Sequence, residues 1–331
     1  MKPSFIFLCL LALAFVTCKK EASPTETNEP VENNPELTST KDISLATVMV
    51  SDIMQSNLLA CDENANFGNF MQFLHINGTI SGTTGTMTAI RDSANAISMM
   101  SFIDTKCRDG KIRSGTIFFK FGYDGTANPN PDPQARISRV PGFTSVINFI
   151  DFKVDNWKIS TAPGTIAVLK NIVSDKNYNP STTKLAWSLN GKFIFTNSDS
   201  TRNITWEGTI IKTLKNTSFV ANSKTSPINW SQAVFEYTGT INGFTSRNVP
   251  YTFTLTSDAP VTRDMNCSVS NTAIPGAYEY HPLVFGSPTL KTANLALRYI
   301  NYSTANSTTY PCDNKARVVV TNQPYEIDLD Y

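Results

Sequence analysis

Two histidines, His75 and His281, are the only imidazoles in the 331-residue chain. They are its only side chains whose ordinary pKa suits proton transfer near neutrality. His75 lies in an apolar stretch beside Asn77-Gly78, and His281 precedes Pro282. Neither has a recognisable Ser, Cys or carboxylate partner motif, so both read as structural or surface histidines. A pair of carboxylates could still hydrolyse glycosidic bonds, and Asp151, Asp155 and Glu207 are the candidates for that third-ranked, hydrolase reading. Asp62-Glu-Asn64-Ala-Asn66 and Asp175-Lys-Asn177-Tyr-Asn179 place oxygen ligands at alternate positions, as a calcium loop begins. Phe67 and Pro180 stand where the loop needs Gly, and Phe73 and Ala186 where it needs Glu. Asp62, Asn64, Asn66, Asp175, Asn177 and Asn179 therefore read first as turn formers. No metal and no cofactor is expected.

Six cysteines are present, two of them, Cys9 and Cys18, in the first eighteen residues. Cys61, Cys107, Cys267 and Cys312 remain for the body. An even number in an exported chain suggests two disulfides, and four cysteines allow three pairings. Cys61–Cys107 and Cys267–Cys312 are favoured, because each pair then closes a loop within one half of the chain. Zinc is disfavoured, since no two cysteines form a CxxC knuckle. Trp157, Trp187, Trp206 and Trp230 accompany strand-like segments, where core packing is the first expectation. Trp206, between Thr205 and Glu207, is the candidate for an exposed sugar-binding platform. Asp92-Ser93-Ala94 and Asp199-Ser200-Thr201 match a short Asp-Ser-x pattern for O-glycosylation.

The elements that would position these residues are mostly strands. Residues 44–59 predict one short helix, with Leu45, Val48, Met49, Asp52, Ile53 and Ser56 at helical spacing. Beyond about residue 70 the pattern is β. Phe193 and Phe195 alternate with Lys192, Ile194 and Thr196, and Tyr251, Phe253 and Leu255 alternate with Thr252, Thr254 and Thr256. Period two marks strands with one packed and one wetted face. Asn77-Gly78, Asp109-Gly110, Asn190-Gly191 and Asn242-Gly243 predict hairpin turns, because such pairs supply the positive φ of type I′ turns. Pro129, Pro131 and Pro133 mark a loop, and Asn216 to Pro227 another that could divide the body. No long amphipathic helices separate the strands. The expected fold class is all-β: an antiparallel meander forming a broad sheet or sandwich, with one short N-terminal helix.

The first residues supply the address. Met1-Lys2 and the apolar run Phe5–Val16 describe a signal peptide over residues 1–17, too short to span a bilayer. Thr17-Cys18 closing that run resembles the lipobox of bacterial lipoproteins, in which the cysteine is acylated. Phe15 and Thr17 depart from the usual Leu and small residue, while Lys19-Lys20 after the cysteine looks typical of Bacteroidota. Acylation, palmitate included, would hold the chain to a membrane by burying CH₂ groups at about 0.8 kcal/mol each. Residues 18–42 are rich in Pro, Glu, Asn and Thr, and predict a lipid-anchored disordered tether ahead of a β-rich body over 43–331.

Four further stretches carry a family resemblance. They are Cys107-Arg-Asp-Gly-Lys-Ile-Arg-Ser-Gly-Thr-Ile; Ile150-Asp-Phe-Lys-Val-Asp-Asn-Trp-Lys-Ile with Gly164-Thr-Ile; Thr205-Trp-Glu-Gly; and Cys312-Asp-Asn-Lys-Ala-Arg-Val-Val-Val-Thr with Tyr325-Glu-Ile. Over about residues 100–331 their order resembles a group of uncharacterised Thr-rich β-sheet lipoproteins of Bacteroidota. The resemblance implies a cell-envelope location, on an outer membrane at its periplasmic or surface face, and a β-fold. It implies no activity and no catalytic residues.

Composition agrees with that address. The net charge of +1 gives no footprint for nucleic acid. Charged residues make up 17% of the chain, below the usual quarter, and Thr, Ser and Asn take their place. The leading expectation is a non-catalytic envelope lipoprotein whose β-body binds or scaffolds. The alternative is a carbohydrate-binding or adhesive surface module. The expected partners are the membrane, through the lipid, and a glycan or an envelope protein.

Overall fold

The structure, a computed structural model, describes residues 34–61, 85–92, 95–107, 109–122, 138–173, 184–215, 233–267, 282–293, 295–302 and 312–329. The signal peptide, Cys18, most of the tether, both histidines, Trp230, both Asp-x-Asn-x-Asn segments, the Asn77-Gly78 turn and residues 216–227 lie outside them.

One helix, α1 (Pro35–Ala60), precedes sixteen strands among the described residues. These are β1 (Thr86–Asp92), β2 (Ile97–Lys106), β3 (Ile112–Phe121), β4 (Thr144–Val154), β5 (Trp157–Thr161), β6 (Ala167–Asn171), β7 (Ala186–Asn197) and β8 (Asn203–Leu214). They continue with β9 (Val234–Phe244), β10 (Pro250–Leu255), β11 (Val261–Asp264), β12 (Leu283–Phe285), β13 (Thr289–Thr292), β14 (Arg298–Asn301), β15 (Lys315–Val320) and β16 (Gln323–Asp328). All belong to one antiparallel sheet, so the all-β expectation holds. β8 and β9, which flank residues 216–227, pair from Thr205↔Phe244 to Leu214↔Phe235 without a break in the sheet.

The alternation read in the sequence sets the two faces. Phe193, Phe195, Tyr251, Phe253 and Leu255 are buried, and the residues between them are half-buried. The inner side chains join α1 in a single core.

The Asn-Gly turn signals divide. Asp109-Gly110 does form the β2–β3 turn, with Gly110 at φ +81° and its N–H donating to the Cys107 carbonyl. Asn190-Gly191 and Asn242-Gly243 instead lie inside β7 and β9. Gly191 sits where β7 changes partner. Asn171↔Trp187 to Val168↔Asn190 pair β7 with β6, and Thr161↔Phe193 to Trp157↔Asn197 pair it with β5. β5 and β6 therefore lie end to end between β4 and β7. A Cβ on Gly191 would stand 2.9 Å from the Ala167 Cβ, so the close approach at the switch selects glycine over a turn. Gly239 marks a similar switch in β9, whose halves pair with β11 and β10. The actual β9–β10 turn uses Asn248 at positive φ, and the β15–β16 turn uses Thr321 and Asn322.

The helix also differs from expectation, in length and in surroundings. It begins at Pro35, so the last eight residues of the expected tether are its first two turns, and Leu37, Thr40 and Asp42 are buried. Asn34 caps it, its Oδ1 accepting from the Glu36 N–H at 2.9 Å. Pro35 follows at a position where its missing N–H costs nothing, and Glu36 suits the positive end of the helix dipole. Hydroxyls in these turns bond back along the helix, Ser39 to the Pro35 carbonyl and Thr40 to that of Glu36. The buried hydroxyls are thereby hydrogen-bonded rather than left unsatisfied. Beyond the exposed Pro35 and half-buried Glu36 at its start, only Thr38, Lys41, Leu45 and Asp52 are partly open. The apolar window of α1 is long enough to cross a membrane, but 89% of it is buried inside the protein, so it serves as a core helix.

Candidate functional site

The polar side chains of α1 are the best-organised chemistry in the described residues, and they address strands across the whole sheet. At its N-terminal end Arg298 of β14, wholly buried, donates to the Glu36 carboxylate at 2.5 Å. Asp42 accepts from the N–H and hydroxyl of Ser246 at 2.9 and 2.7 Å. Burial raises the Asp42 pKa despite those two bonds. Ser44 meets the Tyr302 hydroxyl at 3.0 Å, and at the far end Asn57 donates to Ser145 at 3.0 Å.

The densest cluster surrounds Asp52. Arg263 of β11 donates to Asp52 Oδ1 at 2.6 Å and to Ser51 Oγ at 2.9 Å. Ser51 Oγ in turn lies 2.6 Å from the Tyr237 hydroxyl, whose pKa burial pushes up to about 12. On the other side Arg113 of β3 approaches Asp52 Oδ2 at 4.0 Å and holds Asp109 through two parallel bonds of 2.8 and 2.6 Å. Burial alone would raise the Asp109 pKa. The Arg113 charge and its hydrogen bonds outweigh that and hold the carboxyl below the usual range. Lys212 of β8 completes the cluster. Its Nζ donates to Gln55 Oε1 at 2.5 Å and stands 3.8 Å from the centre of the Phe235 ring. Burial, then the charge of Arg263, pushes its pKa well down.

A pocket opens beside Asp52, walled by Met49, Ile53, Arg113, Ile117, Phe152 and Ile159. Its volume is about 20 Å³, room for one water and far short of the several hundred Å³ of a ligand site. The chemistry this cluster performs in the described fold is structural: it locks α1 to β3, β8 and β11.

The residues singled out in the sequence meet mixed fates. Asp151, Asp155 and Glu207 are not gathered. Asp151 pairs with Lys158 at 2.7 Å, Asp155 with Lys111 at 3.2 Å and accepts from the Ile112 N–H, and Glu207 pairs with Lys192 at 2.7 Å. Each carboxylate thus meets its own lysine, and the candidate hydrolase pair is not assembled. Trp206, the candidate platform, is wholly buried against Phe193, ring centres 5.5 Å apart, and Trp187 is buried too. The reason lies in register: Trp206 pairs with Phe193 on the inner face, while its neighbours Thr205 and Glu207 point outward. Trp157 is half-buried beneath the Arg202 guanidinium.

Of the expected disulfides, Cys267–Cys312 is present, with Cα atoms 5.3 Å apart. Cys61–Cys107 is not, and both side chains remain thiols. Ser98, at the start of β2, donates to the Ala60 carbonyl at 2.8 Å and fixes Cys61 there. Cys107 follows the other end of β2, roughly 25–30 Å away at about 3.3 Å per residue, whereas a bridge needs Cα atoms within about 7 Å. Burial pushes the Cys107 thiol up to about 11 despite Arg113 nearby, so it is a poor nucleophile. Among the described residues no three His, Cys, Asp or Glu side chains converge as a metal site.

Sequence reasoning missed Gln55, Arg113, Lys212 and Arg263. Lys212 and Arg113 carried a usable signal, since each occupies an inward-facing position in the alternation of its strand. Gln55 and Arg263 carried none. No family model, no curated protein and no solved structure matches this chain.

Proposed function

We propose that the chain is an envelope-anchored lipoprotein whose β-body acts as a non-catalytic binding scaffold, working through the outer face of β1 to β4. The observation that carries this reading is a contrast between inside and outside. The buried ionisable cluster is committed to fastening α1. Meanwhile β1 to β4 expose Ile90, Ile112, Ile150 and Ile103, the last 70% accessible. Such side chains on the solvated face of a stable sheet suit a partner surface. The signal run, Cys18 and Lys19-Lys20 support export and acylation, which would bring the body beside a membrane with a glycan or envelope protein at hand.

A version carrying Cys18→Ser separates anchor from body. Labelled palmitate should enter the parent protein and not this variant. If the body binds an envelope component, the unanchored protein still sediments with isolated envelopes. Adding Ile103→Lys and Ile150→Lys should then release it to the supernatant without lowering its melting temperature. An unanchored protein that never sediments would remove the scaffold reading.

A further inference from the structure

Lys212 and Gln55 are an unusual pair for a protein core. They are 157 residues apart, one on β8 and one on α1, and each is 1% exposed. The Lys212 Nζ faces the Gln55 carbonyl oxygen at 2.5 Å, while Gln55 Nε2 is buried without a hydrogen-bond partner among the described residues. A carboxamide satisfied on one side only is a costly arrangement. The surroundings are those that make a lysine nucleophilic. The aromatic faces of Phe235 and Tyr237 wall the amine at 3.8 and 5.7 Å, and Asp52, the one carboxylate among the described residues whose charge acts on it, is already bonded to Arg263.

We propose that Lys212 and Gln55 become joined by an intramolecular isopeptide bond that welds the central helix to the sheet. The neutral amine of Lys212 attacks the Gln55 Cδ, forming the Nζ–Cδ bond. The Cδ–Nε2 bond then breaks, and one proton from Nζ leaves with Nε2 as ammonia. No electron is gained or lost, and no co-reactant is required. The product is an amide with one N–H and one carbonyl, so the buried, unpartnered Nε2 is expelled rather than accommodated. It also removes the buried amine from the core, leaving only the amide N–H to be satisfied.

Peptide mapping of the purified, folded full-length protein decides the matter. Trypsin should yield the segment Asp42–Arg91 joined to Asn203–Lys215, uncut after Lys212. The mass should be the sum of the two less one ammonia. Lys212→Met and Gln55→Met should each abolish that species and lower the melting temperature of the protein. Recovery from the parent protein of separate peptides, cleaved after Lys212 and with Gln55 unmodified, would overturn the proposal and leave an ordinary hydrogen bond. The parent digest is decisive even if a variant fails to fold.

Discussion

At the scale of single residues, burial decides what each ionisable group can do. Asp109 and Arg113 form a two-pronged pair, with side chains 14% and 4% exposed. Removing one member leaves the other charge buried and unpaired. Asp109→Asn should therefore destabilise the fold by about 3 kcal/mol, read by urea unfolding at pH 7. The sign with pH follows from the depressed Asp109 pKa. The folded state holds the carboxylate and the unfolded chain binds a proton more readily. This contribution is full above the unfolded value of about 4 and is lost as pH falls through the lower folded value. The parent protein should lose stability more steeply on acidification than Asp109→Asn does.

Gly115 is a second residue whose role is local and geometric. It has φ +81° at the β3–β4 bulge, and an added Cβ would lie 2.2 Å from the Asp151 carbonyl oxygen. Gly115→Ala should cost about 2 kcal/mol or more, read from the shift in the urea midpoint, because the strained backbone adds to the clash.

At the scale of elements, α1 carries the largest surprise. Its start was written in Asn34-Pro35-Glu36, a cap, a first-turn proline and an acidic first turn. The same residues also suit an extended tether, and no local rule separates the two readings. What decides for helix is the core waiting for Leu37, Ile43 and Ala46. Leu37→Ala should cost about 2–3 kcal/mol in urea unfolding, and no measurable loss would return these residues to the tether. The Cys267–Cys312 bond works at the same scale, tying the end of β11 to the start of β15 across 45 residues. Closing a loop of that length stabilises by about 4 kcal/mol on the chain-entropy account. Cys312→Ser should lower the melting temperature, and a reductant should do the same to the parent but nothing further to the variant. The Asn-Gly pairs show the limit of local signals: Asp109-Gly110 turns, whereas Asn190-Gly191 runs straight through a strand because β5 and β6 meet end to end beside it.

At the scale of the whole molecule, α1 is the common partner of the sheet. It is bonded to Ser98 and Arg113 near one edge, to Lys212, Tyr237 and Arg263 in the middle, and to Arg298 and Tyr302 towards the other. Losing the helix strips every part of the sheet of its inner cover. Unfolding should be a single transition, with tryptophan fluorescence and far-ultraviolet circular dichroism coinciding across a urea titration. Two separate transitions would show that the halves of the sheet hold independently. The outer edges are less alike. β16 carries Pro324, Glu326 and Asp328, which discourage further strand pairing, while β1 has its charges, Arg91 and Asp92, only at its end, after Thr88, Ala89 and the exposed Ile90.

What the sequence determined by itself is the β class and the two faces of the strands. Both follow from period-two alternation, a short-range pattern that any sheet must obey whatever its neighbours. What only the tertiary structure decided is pairing at a distance: which cysteines meet, which glycines lie at a change of strand partner, and that Trp206 faces inward. The meeting of Gln55 with Lys212, and of Asp52 with Arg113 and Arg263, belongs with these. Such contacts join residues separated by up to 200 positions or more, and no local rule of spacing encodes them. They exist because one sheet folds over one helix, and the residues that face the helix acquire neighbours the chain order does not announce.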